Sequence, residues 1–551
     1  MNNIFIFIVY NNTMKLHITF FLLIIAATAN NIAAQENWTY DSGGNIFSRI
    51  KYLEMRDSVR LEITEFIQDT TESAKRPCIL YCTGYGESLP SEVSSLTARY
   101  SATNGFYTVT YRMRGQGLSD GVSELISRTE MKDLFEVINY IKNGIYANPE
   151  RIAIVGSSQG GIISLMACSN GLKVTCIISD LMSPDFASDW ILNGSIKMTL
   201  LWSLGYEDFK VRYSDKVKKY REWILKSDEG LFDSLNAELP PERDFSGLIG
   251  NCTVPVLITN AWGDLFFSSN SIIKSIPSFS CERRVFLGPI NGHGSSSYKE
   301  AEIYHNELIQ SWLSHYLKGD DKSLSDSTYS FSMSYFNDKL LRKYFMISSK
   351  NNPFVLAKNF NLFLDRDNRL SRKSSAENEK YYILSNNIKD SSLTLEKSVN
   401  LEFKGAEFDS GFVRDSIVLR SEPLENDYSF AGIPYAEMYY SSDNNTCQFN
   451  IKIFEQTSSG NNIFITSINF TDRKAGLNTI KNITAEGNSF AHKFSEDSRI
   501  KVVINNLDTR PGNKFLRSNP FVLPVMKNFK GKLYFGKNYP SRLILPPLEY
   551  K

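Results

Sequence analysis

The order of hydrophobic segments predicts an α/β domain built on a parallel sheet, followed by an all-β sandwich. Three observations carry this. Up to about residue 318, short apolar runs alternate with helix-spaced ones, the pattern of a parallel sheet with helices on both faces. One of these runs, Arg151-Ile-Ala-Ile-Val155, passes through a Gly-rich turn straight into the helical run Ile162–Cys168. From about residue 325 helical periodicity fades, and short alternating strands such as Gln448–Phe454 and Arg499–Ile504 are punctuated by Asn, Ser and Gly. A chain of 551 residues is too long for one core, so two or three domains are expected.

Taken in order, the chain opens with Met14-Lys15 ahead of the apolar run Ile18–Ala27 and small residues at Ala27-Thr-Ala29 and Ile32-Ala-Ala34. This predicts a cleaved signal peptide over 1–34 and an exported protein, with Met14 an alternative start and an uncleaved anchor the rival reading. No stable membrane insertion is expected after cleavage. Val59-Arg-Leu-Glu-Ile63 alternates as a strand does, and Pro77–Thr83 and Phe106–Tyr111 read as short apolar strands. Met131–Lys142 carries Leu134, Val137, Ile138 and Ile141 at helical spacing. Further strands are expected at Val174–Ser179, Val254–Thr259 and Arg284–Leu287, and an amphipathic helix at Tyr304–Lys318. The long insertion over 185–250, rich in aromatic and charged residues, reads as a helical cap over the strand ends. The expected division is therefore a catalytic domain over 35–325 and a β-sandwich over 326–551.

The turn between Val155 and Ile162 is Gly156-Ser-Ser158-Gln159-Gly-Gly161. A strand, a tight turn with serine at its apex and a helix is the context of a nucleophile elbow. Glycines are needed where strand and helix pass too closely for side chains. Ser158 then stands at a helix N-terminus, where negative charge is favoured. Gly117-Leu-Ser119-Asp-Gly121 fits the same pentapeptide, but no helix follows it, so Ser119 is read as a loop residue.

A serine nucleophile needs a base, usually a histidine oriented by a carboxylate. Of five histidines, His17 lies in the export segment, His305 and His315 in the closing helix and His492 in the β region. Only His293 follows a sheet strand in a loop, Gly288-Pro-Ile-Asn-Gly-His293, at the edge where open α/β folds bind ligands. The acid should fall between Ser and His in chain order, and Asp264 after the strand ending near Thr259 fits. An oxyanion hole needs two donors. The backbone N–H of Gln159 is one candidate. Tyr85, between two glycines after the strand ending at Thr83, is the other, through its N–H or its phenol.

Hydrophobic residues are 42% and charged residues 22%, with a net charge of +1, so no global field points to nucleic acid. The seven cysteines are an odd number at no metal-like spacing. Cys168 and Cys176 read as buried small hydrophobes, and no disulfide is assigned. No metal or organic cofactor is expected.

These residues resemble the cocaine esterase and Xaa-Pro dipeptidyl peptidase family of serine hydrolases, from about residue 50 to 550. The marks are Met55–Leu61, Arg114-Gly-Gln-Gly-Leu-Ser-Asp-Gly121, the elbow at Ser158, Gly263-Asp264, Gly288-Pro289 before His293, Trp312 and Leu317-Lys-Gly319. Ser421–Leu424, Gly432-Ile-Pro434, Asn519-Pro520 and Leu543–Pro546 resemble the family's C-terminal jelly roll. The resemblance implies an α/β-hydrolase domain with a helical cap insertion, and a jelly-roll sandwich that together with them encloses the site. The chain departs from common members at Gln159 (often Tyr), Arg112 (often Asp) and Ile290 (often Trp).

The expected function is ester or amide hydrolysis through an acyl-enzyme, on a small-molecule or peptide substrate. A dipeptidyl peptidase needs a carboxylate in the cap for the substrate's free amino group, and Asp185, Asp189, Glu207 and Asp208 are available. A carboxylesterase needs only an apolar acyl pocket. The rivals of another class are a non-catalytic binding protein on the same scaffold and a sandwich that binds glycans rather than walling the site. The oligomeric state is not legible in the sequence.

Overall fold

The computed structural model describes residues 37–548 apart from 72–74, 87–92, 206–210, 295–296, 321–323, 325, 338, 340, 356–358, 377, 404–410 and 509–520. The expected signal peptide over 1–34, Glu207, Asp208 and the Asn519-Pro520 pair lie outside the described residues.

The first sheet contains β1 (Thr39–Asp41), β2 (Ile46–Glu54), β3 (Arg60–Ile67), β4 (Arg76–Cys82), β5 (Tyr107–Tyr111), β6 (Ala147–Ser157), β7 (Cys176–Asp180), β8 (Val256–Ala261), β9 (Arg283–Gly288) and β10 (Tyr329–Phe336). Its order runs β1-β2-β3-β5-β4-β6-β7-β8-β9-β10. The first three pairings are antiparallel and the rest parallel. Helices α1 (Val93–Thr103), α2 (Arg128–Asn143) and α3 (Gln159–Ser169) connect the early strands. α4 (Phe186–Trp190), α5 (Met198–Ser203), α6 (Asp215–Lys226) and α7 (Glu229–Glu238) lie within the 185–250 insertion read as a cap, and α8 (Asn270–Ser275) and α9 (Lys299–Leu313) follow.

Strand residues divide between two cores by the period of two. On β4, Cys78, Leu80 and Cys82 join the α2 and α3 side. Ile79 and Tyr81 instead join Trp312 and Leu317 near the end of α9. Burial on both faces explains why these strands read as continuous apolar runs. α2 begins at a capping box in which Ser127 Oγ accepts from Thr129 N–H and Glu130 Oε2 accepts from Ser127 N–H at 3.0 Å.

The region beyond 325 is strand-rich, as expected, but it does not form a wholly separate sheet. β10 pairs parallel with β9 (Tyr329↔Val285), Ser334 of β10 pairs with His492 of Phe490–Phe494, and that strand pairs with Tyr428–Gly432. The expected boundary near 325 thus falls just before a strand that extends the first sheet. Arg342–Ser349 pairs antiparallel with β10 and also belongs to the first sheet. The remaining strands, including Lys380–Ile388, Tyr435–Ser442, Cys447–Gln456, Asn462–Asp472 and Phe529–Phe535, form a second, mainly antiparallel sheet around Phe449, Phe470 and Leu533. The cap is tied to this part: Asn193 Nδ2 donates to the carbonyls of Asn469 (2.9 Å) and Glu486 (2.8 Å), and Leu523 N–H donates to Ile196 O at 2.8 Å. Among the described residues, no helix is long and apolar enough to cross a membrane.

Candidate active site

β6 ends at Ser157 and α3 begins at Gln159, so Ser158 alone makes the turn. Its backbone sits at φ 57°, ψ −125°, a strained conformation for a non-glycine residue. The neighbouring glycines hold it there. A Cβ on Gly156 would lie 2.3 Å from the Gly160 carbonyl, one on Gly160 2.3 Å from Cys82 O, and one on Gly161 2.6 Å from Asp180 O. Ser158 N–H donates to Asp180 O at 2.9 Å, which fixes the apex against the end of β7.

His293 comes from the loop after β9 and Asp264 from the loop after β8. His293 Nε2 lies 2.9 Å from Ser158 Oγ, and His293 Nδ1 lies 2.7 Å from Asp264 Oδ2. The other carboxylate oxygen, Oδ1, accepts from the N–H groups of Phe266 (2.8 Å) and Phe267 (2.9 Å). Leu265 N–H donates to His293 O at 3.1 Å, so the two loops also hold each other through the backbone. The rings of Phe266 and Phe267 lie 5.0 and 5.2 Å from the imidazole. Burial disfavours the imidazolium, but the Asp264 charge and hydrogen bond outweigh it, with Asp180 adding to them, and the His293 pKa is raised above the ordinary 6.5. With Nδ1–H held by Asp264, Nε2 is left as the acceptor for the serine proton.

Tyr85 lies in the loop after β4. Its hydroxyl is 2.9 Å from that of Tyr213 and 3.2 Å from Ser203 O at the end of α5, and Tyr213 donates to Ser203 O at 2.6 Å. The phenol is thus tied to the cap, and burial raises its pKa well above 10. Gln159 is fully buried, and its Oε1 accepts from Gln116 Nε2 at 2.9 Å. No local sequence pattern marks these contacts of Gln116 and Tyr213, because each joins segments distant in the chain.

The other candidates fall elsewhere. Ser119 Oγ accepts from Glu62 N–H (2.9 Å) and donates to Arg112 O (2.7 Å), so it pins its own loop to the edge of β3. Asp189 is buried and paired with Lys197 Nζ at 2.7 Å. It also accepts from Ser268 N–H (2.9 Å) and Oγ (2.8 Å). Asp185 Oδ1 accepts from Ser246 N–H at 3.1 Å. His305 Nε2 lies 3.2 Å from Asp180 Oδ1 at the end of β7, and half-buried His315 lies 3.4 Å from Asp320 O. His492 sits between Ser334 Oγ (2.8 Å) and Glu455 Oε2 (2.9 Å). That arrangement imitates a triad, but all three residues are buried and Ser334 donates to Ala491 O at 3.0 Å. All seven cysteines, Cys168 and Cys176 among them, are buried. Among the described residues no group of three or more His, Cys, Asp or Glu is arranged to hold a metal ion.

Residues 57–293, which span the elbow and end on His293, match the X-Pro dipeptidyl-peptidase (S15) family. The chain is also 31% identical over 116 residues to an uncharacterized 31.7 kDa protein of Escherichia coli from the traX-finO intergenic region, a stretch that is 20% of this chain and 39% of that protein. Among solved structures, a CocE/NonD family hydrolase from Staphylococcus aureus superposes with a TM-score of 0.69 at 14% identity, covering 91% of this chain and 94% of that one. An α-amino acid ester hydrolase gives 0.67 at 13% identity (94% and 99% covered). An aminopeptidase from a marine sediment Thaumarchaeota archaeon gives 0.66 at 15% (93% and 98%). At these identities the likeness establishes the fold: an α/β-hydrolase sheet followed by a β domain.

Proposed function

We propose that this protein is an exported serine hydrolase that cleaves ester or amide bonds through an acyl-enzyme, with Ser158 as nucleophile, His293 as general base and acid, and Asp264 as its orienting carboxylate. The observation that carries the reading is the hydrogen-bonded chain Ser158–His293–Asp264, with the serine held at a strained elbow at the carboxyl ends of the strands. His293 Nε2 takes the Ser158 proton as Oγ attacks the carbonyl carbon. Charge moves onto the carbonyl oxygen, which the Gln159 N–H at the start of α3 and Tyr85 stabilise. The imidazolium, paired with Asp264, passes its proton to the leaving alcohol or amine. Water then attacks the acyl-enzyme by the same route in reverse, and the acid leaves. Export rests on the sequence of residues 1–34 alone.

Between the two substrate classes, the two candidate cap carboxylates among the described residues, Asp185 and Asp189, favour small acyl esters. Recognition of a free α-amino group needs an uncommitted carboxylate. Asp189 is neutralised by Lys197, and Asp185 is engaged by Ser246 N–H. The X-Pro peptidase reading keeps the support of the family match over 57–293.

Labelling with a fluorophosphonate probe tests the nucleophile, with wild type beside Ser158→Ala and Ser119→Ala. Labelling lost in Ser158→Ala and kept in Ser119→Ala is expected. A folded wild type that neither labels nor turns over a p-nitrophenyl ester would overturn the reading in favour of a binding protein. Turnover of short p-nitrophenyl esters beside aminoacyl-proline p-nitroanilides then separates the substrate classes, and a preference for the anilides would make the protein an X-Pro peptidase instead.

A further inference from the structure

Gln116 and Gln159 form a link that the mechanism above does not use. Gln116 Nε2 donates to Gln159 Oε1 at 2.9 Å, while Gln116 Oε1 accepts from Gly86 N–H at 3.0 Å. The two side chains are 1% and 0% exposed, so water cannot replace either bond. Gln159 directly follows the nucleophile, and Gly86 directly follows Tyr85. One buried side chain therefore bridges the two elements proposed to carry the oxyanion donors.

The loop that bears Gln116 is itself held at a fixed height. Gly115 N–H donates to Asp120 O (3.0 Å), Arg212 N–H to Gly115 O (2.8 Å) and Ser123 N–H to Arg212 O (2.7 Å). A Cβ on Gly115 would lie 2.4 Å from Ser123 N, so the loop has no room to slide. Arg212 precedes Tyr213, whose hydroxyl meets that of Tyr85, so the same cap segment braces the loop from its other side.

We infer that Gln116 is a positioning residue that sets the distance between the Tyr85–Gly86 loop and the Gln159 N–H, and so the width of the oxyanion hole. The inference rests on the serine-hydrolase reading. Donors must sit about 2.7–3.1 Å from the developing oxyanion, and loss of one costs about 10²–10³ in kcat. Gln116 touches no substrate, so its removal should act on kcat and leave ground-state binding alone.

The test is the set Gln116→Met, Gln159→Met and the double variant, assayed in the full chain with p-nitrophenyl acetate, with the folded fraction measured by circular dichroism at the assay temperature. Methionine keeps the length of glutamine without its amide. Each single variant is expected to lose about 10- to 100-fold in kcat with KM within about threefold, as befits partial misplacement of one donor. The double variant should be no worse than the worse single within about threefold, because both changes break one link. A Gln116→Met enzyme within threefold of wild-type kcat overturns the inference, as does a kcat loss that only follows the folded fraction. Strictly multiplicative losses in the double variant would also overturn it. If Gln116→Met does not fold, Gln159→Met probes the link from its other end. Failure of the underlying reading looks different: wild type itself would show no Ser158-dependent turnover.

Discussion

Replacing Asp264 by Asn tests the orientation of the whole catalytic chain, and the structure dictates which way the new amide faces. Oδ1 of Asp264 receives two backbone N–H groups, from Phe266 and Phe267, while Oδ2 faces His293 Nδ1. An asparagine amide must keep its oxygen toward the two donors, because its NH₂ there would meet two N–H groups head-on. The NH₂ then points at Nδ1, which has to become the acceptor. The imidazole proton moves to Nε2, 2.9 Å from Ser158 Oγ, where an acceptor is needed. The base is disabled by its tautomer with the geometry intact, an effect worth about 10⁴ in kcat, or about 5 kcal/mol of transition-state stabilisation at about 1.36 kcal/mol per decade. The assay is kcat on a p-nitrophenyl ester together with thermal melting. The expected result is a loss of about 10⁴-fold with the melting temperature within a few degrees of wild type. A folded Asp264→Asn enzyme within tenfold of wild type would refute the reasoning, because His293 would then not depend on Asp264 for its tautomer.

Two further outcomes follow from the same contacts. His293 must be neutral to accept the serine proton, and its pKa is raised above 6.5, so kcat/KM should rise with pH through a midpoint above that value; a midpoint below 6.5 in a pH–rate profile would show that the Asp264 charge does not outweigh burial. Gly160→Ala puts a methyl 2.3 Å from Cys82 O, whereas Gly247→Ala meets nothing within 4 Å. Urea unfolding should show a loss of about 3 kcal/mol or more for the first and within about 0.5 kcal/mol of no change for the second, and equal effects would mean the elbow has slack.

The elbow was legible because its demands are local. The clashes that exclude side chains at 156, 160 and 161 arise within a few residues of Ser158 and the strands beside it, so glycine appears there in the sequence. His293 and Asp264 could be found by position after predicted strands, since the scarcity of histidine left one in such a loop. Ser119 shows the limit of the pentapeptide: the same letters serve a loop when no helix follows. Contacts that depend on distant segments left no mark. Gln116 and Gln159 are 43 positions apart, and Tyr85 and Tyr213 are 128 apart. Nor could the sequence assign β10 to one sheet or the other. Tyr329–Phe336 alternates as a sandwich strand does, and only its pairing with β9 makes it part of the first sheet. The cap carboxylates were countable in the sequence, but whether each was already engaged was not.

The strand Phe490–Phe494 has a consequence for how the chain comes to be folded. It meets β10 at Ser334 and pairs in turn with Tyr428–Gly432, while Arg342–Ser349 already lies along all eight residues of β10, so the last two strands of the sheet that carries Ser158, Asp264 and His293 are made long after His293. During synthesis, every element needed for the chemistry emerges before those two strands and before the Asn469 and Glu486 carbonyls that receive Asn193 of the cap. Pairing over so great a sequence separation is also slow. A chain halted or clipped before residue 428 would therefore hold a full set of reacting groups on a sheet that lacks its last two strands, under a cap that lacks these anchors.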